Sequence, residues 1–250
     1  MKKVLAFDID KTLNEPKLPI KPEMAELLMR LLEHYQICII SGQKFEQFLV
    51  QIINPMENVS PELLKNMHLM VAQGTQYYTH VGDDWHQEYN YSLNEQQVKE
   101  ISDALETAAR DLGYWVELSG DDEIIENRLS MIAYSALGQK AGLDAKLAWD
   151  PDMVKRTAIV ARARELAPDY DYEIGGTTTI NAFPPGMNKV FGMTKLLENL
   201  HVTMDEVLYF GDMTQPGGND FPVVEMGFDT ITVRDWQESA NVLRGILAVG

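Results

Sequence analysis

Apolar and polar positions along the chain alternate between two rhythms. "KKVLAFDID" is an apolar run that ends on aspartates, and it predicts a short buried strand. Residues 22–34, "PEMAELLMRLLEH", carry apolar side chains at helical spacing with proline at the start, which predicts a helix. "QICIISG" predicts a second buried strand, and "KFEQFLVQII" a helix after it. "HLMVAQGTQYYTHVGDDW" reads as strand, turn, strand, with Gly-Asp-Asp at a hairpin tip. Strand alternating with helix is the signature of a parallel sheet covered by helices.

The middle of the chain differs. Residues 93–112 predict a long amphipathic helix, and a further helix is expected at about 151–165. "YWVEL", "EIIENRLSMIAYS", "YDYEIG" and "TTTINAF" are strand candidates, and their clustering predicts an antiparallel sheet backed by helices. From "GMNKVFGMTKLLENL" the first rhythm returns: helix, strand "EVLYFGD", loop, short helix, strand "DTITV", helix "WQESANVLRGIL". The expected organisation is an α/β core of residues 1–85 plus 186–250, split by an inserted α+β domain of residues 86–185. The joins fall near 84–88 and 183–187, the second marked by Pro184-Pro185-Gly186.

Composition narrows the classes. The 250 residues are 45% hydrophobic and 24% charged, enough for one large domain or two modest ones. No stretch approaches the ~20 apolar residues of a membrane span, and "MKKVLAFDID" turns acidic too early for a signal peptide. The single cysteine, Cys38, permits no internal disulfide and lies in the apolar "ICII". A cytoplasmic protein is expected. The formal net charge of −17 and the lack of a basic stripe argue against nucleic acid as a partner. An anionic substrate would need local positive charge from a metal or from placed lysines and arginines.

Candidate chemistry gathers at the predicted strand ends, where open parallel sheets bind ligands. The first strand ends in Asp8, Ile9, Asp10, Lys11 and Thr12, the second in Ser41 and Gly42, and a later one in Asp212, followed by Asn219 and Asp220. Several ionised carboxylates on one rim require a cation, and oxygen ligands without His or Cys suit Mg²⁺. Asp8 and Asp10 share a face if the strand stays regular. They would then divide labour, one attacking and the other carrying a proton to a leaving oxygen, or merely form a charged strand end that caps a turn. Lys189, opening the helix at 188–199, would neutralise a phosphate and tether the nucleophile, or merely be a solvated lysine. Ser41 would donate to a phosphate oxygen or cap a helix, and Gly217 and Gly218 would turn the loop toward a ligand or simply make a turn.

In this order the motifs resemble the haloacid-dehalogenase superfamily of phosphotransferases, most closely its eukaryotic-type phosphomannomutases. "FGDMTQPGGND" resembles their FGD-x-T-x-PGGND, "SGQKFEQF" their GGSDFEKV, "GGTTTINAFPPGMNK" their GGQISFDVFPDGWDK, and, more loosely, "ENRLSMIAYSALGQ" their EFRNGMLNVSPIGR. The resemblance implies a Rossmann-like parallel-sheet α/β core with an inserted α+β cap of type C2. It implies Asp8 as nucleophile forming an aspartyl-phosphate and Asp10 as general acid–base. Mg²⁺ would be held by Asp8, the Asp10 carbonyl and Asp212, with Asn219 and Asp220 supporting. Ser41, Gly42 and Lys189 would hold the phosphoryl group. In the cap, Arg128, Gly176, Thr179 and Asn181 would contact a sugar phosphate, and a homodimer through the cap follows by analogy.

Four departures bear on the reaction. Lys11 replaces the usual glycine of the nucleophile motif, Gln139 stands where the family has an arginine, Lys146 falls on a second family arginine, and Asn181 stands where the family has an aspartate. Two-ended phosphate recognition by a mutase favours bidentate arginines. Lys140, Lys146 and Arg128 leave some positive charge. The sequence therefore places Mg²⁺-dependent hydrolysis of a small sugar phosphate first and interconversion of hexose 1- and 6-phosphates second. A non-catalytic sugar-phosphate-binding protein comes last, since every core catalytic position is filled.

Overall fold

Val4–Phe7, four consecutive buried residues, form β1, and α1 (Pro22–Leu32) follows with Met24, Ala25, Leu27, Leu28, Leu31 and Leu32 on its buried face. This computed structural model describes residues 1–118, 120 and 122–249. β2 (Gln36–Ile40) leads into α2 (Phe45–Phe48), which runs on as a π-helical turn over Leu49–Ile53. After the short α3 (Pro61–Leu64), β3 (Met67–Val71), β4 (Gln76–Val81) and β5 (Asp84–Asn90) form an antiparallel meander with its β4–β5 turn at Gly82 and Asp83. β5 thus continues past the join expected near 84–88.

The next segment builds its own core. α4 (Glu95–Asp111) starts at a capping box, with Asn94 Oδ1 accepting from Gln97 N at 2.9 Å and Gln97 Oε1 accepting from Asn94 N at 3.0 Å. β6 (Ile125–Asn127) and β7 (Ile132–Ser135) come next, then α5 (Leu143–Trp149), α6 (Val154–Leu166), β8 (Asp171–Gly175) and β9 (Thr179–Phe183). The four strands form an antiparallel sheet in the order β6-β7-β9-β8. One face of it presents Ile132, Tyr134, Ile180 and Ala182 to Ile101, Leu105 and Ala108 of α4 and Ile159 and Ala163 of α6.

Two expectations fail here. "YWVEL" is not a strand: the amides of Tyr114 and Trp115 turn back to the Ala109 carbonyl at 2.8 and 3.2 Å, so their aromatic rings pack on the core from irregular backbone. "EIIENRLSMIAYS" is two strands rather than one, broken where Leu129 adopts φ 67°. α5 has no counterpart in the sequence reading.

The chain then returns to the first sheet through α7 (Lys189–Leu200), β10 (Val207–Gly211), α8 (Phe221–Glu225), β11 (Asp229–Thr232) and α9 (Trp236–Val249). Among the described residues this sheet has seven strands in the order β11-β10-β1-β2-β3-β4-β5, parallel from β11 to β3. Contacts group the chain into two units. One is Met1–Asn90 with Asn188–Pro216 and Asp220–Gly250; the other is Tyr91–Met187 with Gly217–Asn219. No helix among the described residues is long and apolar enough to cross a membrane.

A buried imidazole ties three strands of the first sheet together. His68 on β3 contacts Tyr77 Oη of β4 through Nδ1 and Gln36 Oε1 of β2 through Nε2, both at 2.8 Å. Burial lowers its pKa to about 4.

Candidate active site

Adjacent parallel strands bring the two ends of the chain together. Phe7 of β1 pairs with Phe210 of β10, and their rings stack with centroids 4.8 Å apart. Asp8 follows the one and Asp212 stands two residues past the other, both at the carboxyl edge of the sheet. Regular strand stops at Phe7, although Asp8 N still donates to the Phe210 carbonyl at 3.0 Å. The shared strand face expected for Asp8 and Asp10 is therefore absent; Asp10 sits in a tight turn, where its Oδ1 accepts from Lys17 N at 2.8 Å.

The loop from Asp212 to Asp220 closes on itself. Met213 N donates to Asp220 Oδ2 at 3.0 Å, and Asp220 N donates to the Met213 carbonyl at 3.1 Å. Gly211 admits this return, because a Cβ there would lie 2.5 Å from Asp220 Oδ2. As a result, one carboxylate oxygen each from Asp8, Asp212 and Asp220 lies within 4.8 Å of the others.

Lys189, the first residue of α7, is fully buried against this cluster. Its Nζ donates to Asp8 Oδ1 at 2.5 Å, to Asp220 Oδ1 at 2.6 Å and to Tyr209 Oη at 3.1 Å. Tyr209 Oη in turn donates to Asp220 Oδ1 at 2.5 Å. The helix start is held in place by glycine packing. A Cβ on Gly74, whose φ is +86°, would come 2.3 Å from Gly192 Cα, so α7 lies backbone to backbone on the β3–β4 turn.

The electrostatics are those of an anionic cluster short of positive charge. Burial pushes the Asp8 carboxyl well above the usual carboxylate range; Lys189 pulls it back in part, while Asp220 and Asp212 push it further up. Asp212 is pushed up to about 6, by burial first and by Asp220 next, against Lys11 and Lys189. Burial acts to lower the Lys189 pKa, but Asp220 and Asp8 outweigh it and keep the ammonium charged. With all four carboxyls ionised, Asp8, Asp10, Asp212 and Asp220 carry two more negative charges than Lys189 and Lys11 answer, and the raised Asp8 and Asp212 carboxyls show that state to be costly without a further cation. A divalent ion that prefers oxygen ligands matches both that charge and that donor set.

Lys11 keeps the turn that a glycine would make, with φ 65°, and its N donates to the Asn14 carbonyl at 2.9 Å. Its ammonium lies 3.6 Å from Asp212 Oδ2. Ser41 is buried at the end of β2, with its N donating to the Met70 carbonyl at 3.2 Å, and Gly42 follows it in the loop. Two neighbours in these loops are buried with unpaired polar atoms: the Thr12 hydroxyl and both polar atoms of the Gln43 carboxamide. Asn219 groups with the second unit, and its Oδ1 is buried without a partner.

The residues expected to bind sugar phosphate lie in the second unit. β9 turns Ile180 and Ala182 to the core, so Thr179 and Asn181 occupy the opposite face of its sheet. Asn181 stands level with Ala133 and Glu173, and its Oδ1 is buried and unpaired. Arg128, buried just after β6, donates from Nε to Glu126 Oε2 at 2.7 Å. Gly176 turns the β8–β9 connection with φ +51°. Lys146 is buried, and its Nζ donates to the Gln139 carbonyl at 2.8 Å, so the residues at the two arginine positions of the resemblance bind each other. Lys140 N approaches both Asp122 oxygens, at 3.3 and 3.2 Å.

Sequence reasoning missed three side chains. Tyr209 reads as one more apolar strand residue, yet it braces Lys189 and Asp220. Gln43 lies inside "SGQKF", where neither spacing nor residue type singles it out. Arg156, on a helix without a marked apolar face, is buried. It pairs with Asp150 at 2.8 Å and donates to the carbonyls of Gly175 and Gly176 at 3.2 and 2.8 Å.

Comparisons with known proteins bear on family and fold. The family model for eukaryotic phosphomannomutase matches residues 24–245. A probable phosphomannomutase of Caenorhabditis elegans is 24% identical over 229 residues, covering 88% of this chain and 85% of that protein. Among solved structures, an IMP-bound mutant of Plasmodium falciparum IMP-nucleotidase superposes with TM-score 0.74 at 17% identity, covering 100% of this chain and 67% of that one. A haloacid dehalogenase-like hydrolase from Bacteroides thetaiotaomicron superposes with TM-score 0.65 at 16% identity, covering 98% and 100%. At these identities the two structures establish a shared fold.

Proposed function

Because the chain belongs to the eukaryotic phosphomannomutase family, and is thereby an enzyme of the haloacid-dehalogenase superfamily, we propose that it interconverts hexose 1- and 6-phosphates through an aspartyl-phosphate on Asp8. The observation that supports this reading is the gathering of Asp8, Asp212 and Asp220 at adjoining strand ends, with Lys189 bonded to Asp8 and Asp220.

Lys189 occupies Asp8 Oδ1, which leaves Oδ2 to attack phosphorus. The bond from phosphorus to the sugar oxygen breaks as the bond to Asp8 forms, and Asp10 gives its proton to the departing oxygen. In the second half-reaction Asp10 takes a proton from the sugar hydroxyl that removes the phosphoryl group from Asp8. Asp8, the Asp10 carbonyl and Asp212 would hold Mg²⁺, with Asn219 and Asp220 behind them; bound there, the ion supplies charge neutralisation for the transferring group. Lys189 and Tyr209 keep Asp8 and Asp220 oriented, and Ser41 and Gly42 face the phosphoryl oxygens.

A second reading, hydrolysis of a small sugar phosphate, is favoured by the second unit. There Gln139 replaces an arginine, and Arg128 and Lys146 are engaged by Glu126 and the Gln139 carbonyl. Incubating the protein with mannose 1-phosphate, Mg²⁺ and a trace of hexose 1,6-bisphosphate separates the two. Phosphorus NMR should show mannose 6-phosphate; inorganic phosphate in its place overturns the mutase reading in favour of hydrolysis.

A further inference from the structure

Lys11 introduces a cation where the nucleophile motif usually has no side chain. Its φ of 65° belongs to the region that favours glycine, so the lysine is held there against its backbone preference. Glycine would make the same turn without strain, so what the lysine adds is its ammonium, 3.6 Å from Asp212 Oδ2. The other cation of the cluster, Lys189, is committed to Asp8 and Asp220. Lys11 therefore serves the one carboxylate of the trio that Lys189 does not bond.

An ammonium and a metal ion on the same carboxylate oppose each other. Both gain by neutralising Asp212, and like charges a few ångströms apart repel. We infer that Lys11 is a built-in competitor at the metal site. It holds Asp212 while the site is empty, yields it when the ion arrives, and so sets the Mg²⁺ concentration at which the site fills. The inference rests on the reading of Asp8, Asp212 and Asp220 as a metal site. The Lys11 side chain is 49% exposed, so solvent tempers the competition without abolishing it.

Calorimetric titration of MgCl₂ into the chelator-treated protein, without substrate, tests this. Lys11→Met removes the charge and keeps the strained turn; Lys11→Gly removes both; Lys11→Arg keeps the charge. Lys11→Met and Lys11→Gly should each tighten Mg²⁺ binding about ten-fold, equivalent to about 1.4 kcal/mol, and Lys11→Arg should stay at the parent value. Tightening in Lys11→Gly alone would assign the effect to backbone strain and overturn the inference. Binding that Asp212→Asn abolishes but Lys11→Met shifts less than about two-fold would sink the role of Lys11 and leave the metal site standing. A parent protein that takes up no Mg²⁺ would sink both.

Discussion

The buried Lys189 cluster is closely bonded within itself. The ammonium meets two carboxylates and a phenol, and the phenol of Tyr209 meets one of those carboxylates. Asp8→Asn should lower turnover by about a thousand-fold or more while leaving the far-UV circular dichroism and the thermal melt intact. Wild-type-like activity in that variant would disprove the choice of nucleophile. Tyr209→Phe takes one donor from Asp220 and one acceptor from Lys189, so kcat should fall about ten-fold with little change in KM, as expected for the loss of a hydrogen bond to a charged group. His68 makes a separate, pH-dependent prediction. Above about pH 6.5 the imidazole is neutral in folded and unfolded chains alike and contributes no pH dependence. Between that value and about 4, unfolded chains bind a proton that the buried ring refuses, so stability falls as pH falls, by up to about 3 kcal/mol. Urea unfolding across that window should show a shallower pH slope in His68→Gln than in the parent; identical slopes would refute the burial effect.

Among the elements, α7 has the strictest placement, because its Gly192 lies on the Gly74 turn. A Cβ at position 192 would come 2.7 Å from Ile40 Cδ1 and 2.8 Å from Gly74 Cα. Gly192→Ala should destabilise the protein by about 1–3 kcal/mol and also depress kcat, because Lys189 rides on the same helix. A melt and a turnover assay check both. The elements also show where sequence patterns suffice. Strands whose residues are buried on both sides, such as β1 and β2, announce themselves as apolar runs, and their ends locate Asp8, Ser41 and Asp212 before any coordinates are known. "YWVEL" misleads because aromatic rings that pack on a core from an irregular segment leave the same apolar signature as a strand. "EIIENRLSMIAYS" conceals its break because the turn at Leu129 uses a positive φ without glycine. Tyr209 and Arg156 were illegible for a different reason: apart from the Arg156–Asp150 pair, their partners lie 11 to 20 residues away, which spacing alone does not reveal. Lys11 was visible as an oddity, but its reach to Asp212 depended on the turn keeping its positive φ.

At the scale of the whole molecule, the chain carries a net charge of −17 while the proposed substrate is an anion. Long-range repulsion should slow the approach of a phosphorylated substrate and be screened by salt. KM for a sugar phosphate should therefore fall as ionic strength rises from about 10 to 150 mM at constant free Mg²⁺. A KM that rises instead would place a positive field around the entrance. The second unit encloses its own apolar core, from Ile101 through Ala182. Residues 91–187 expressed alone should accordingly melt in a cooperative transition seen by circular dichroism.

The pairing of β1 with β10 also has a consequence in time. Val4 lies beside Val207, so β1 is synthesised about 200 residues before the strand that flanks it. At ~5–20 residues per second, β1 waits roughly 10–40 s on the ribosome with one edge unsatisfied. Asp8 meets Asp212 and Asp220 only once that later strand and its loop have emerged. A nascent chain thus passes through a long interval in which its most apolar strand is open to mispairing, and chaperone demand during translation should be concentrated there.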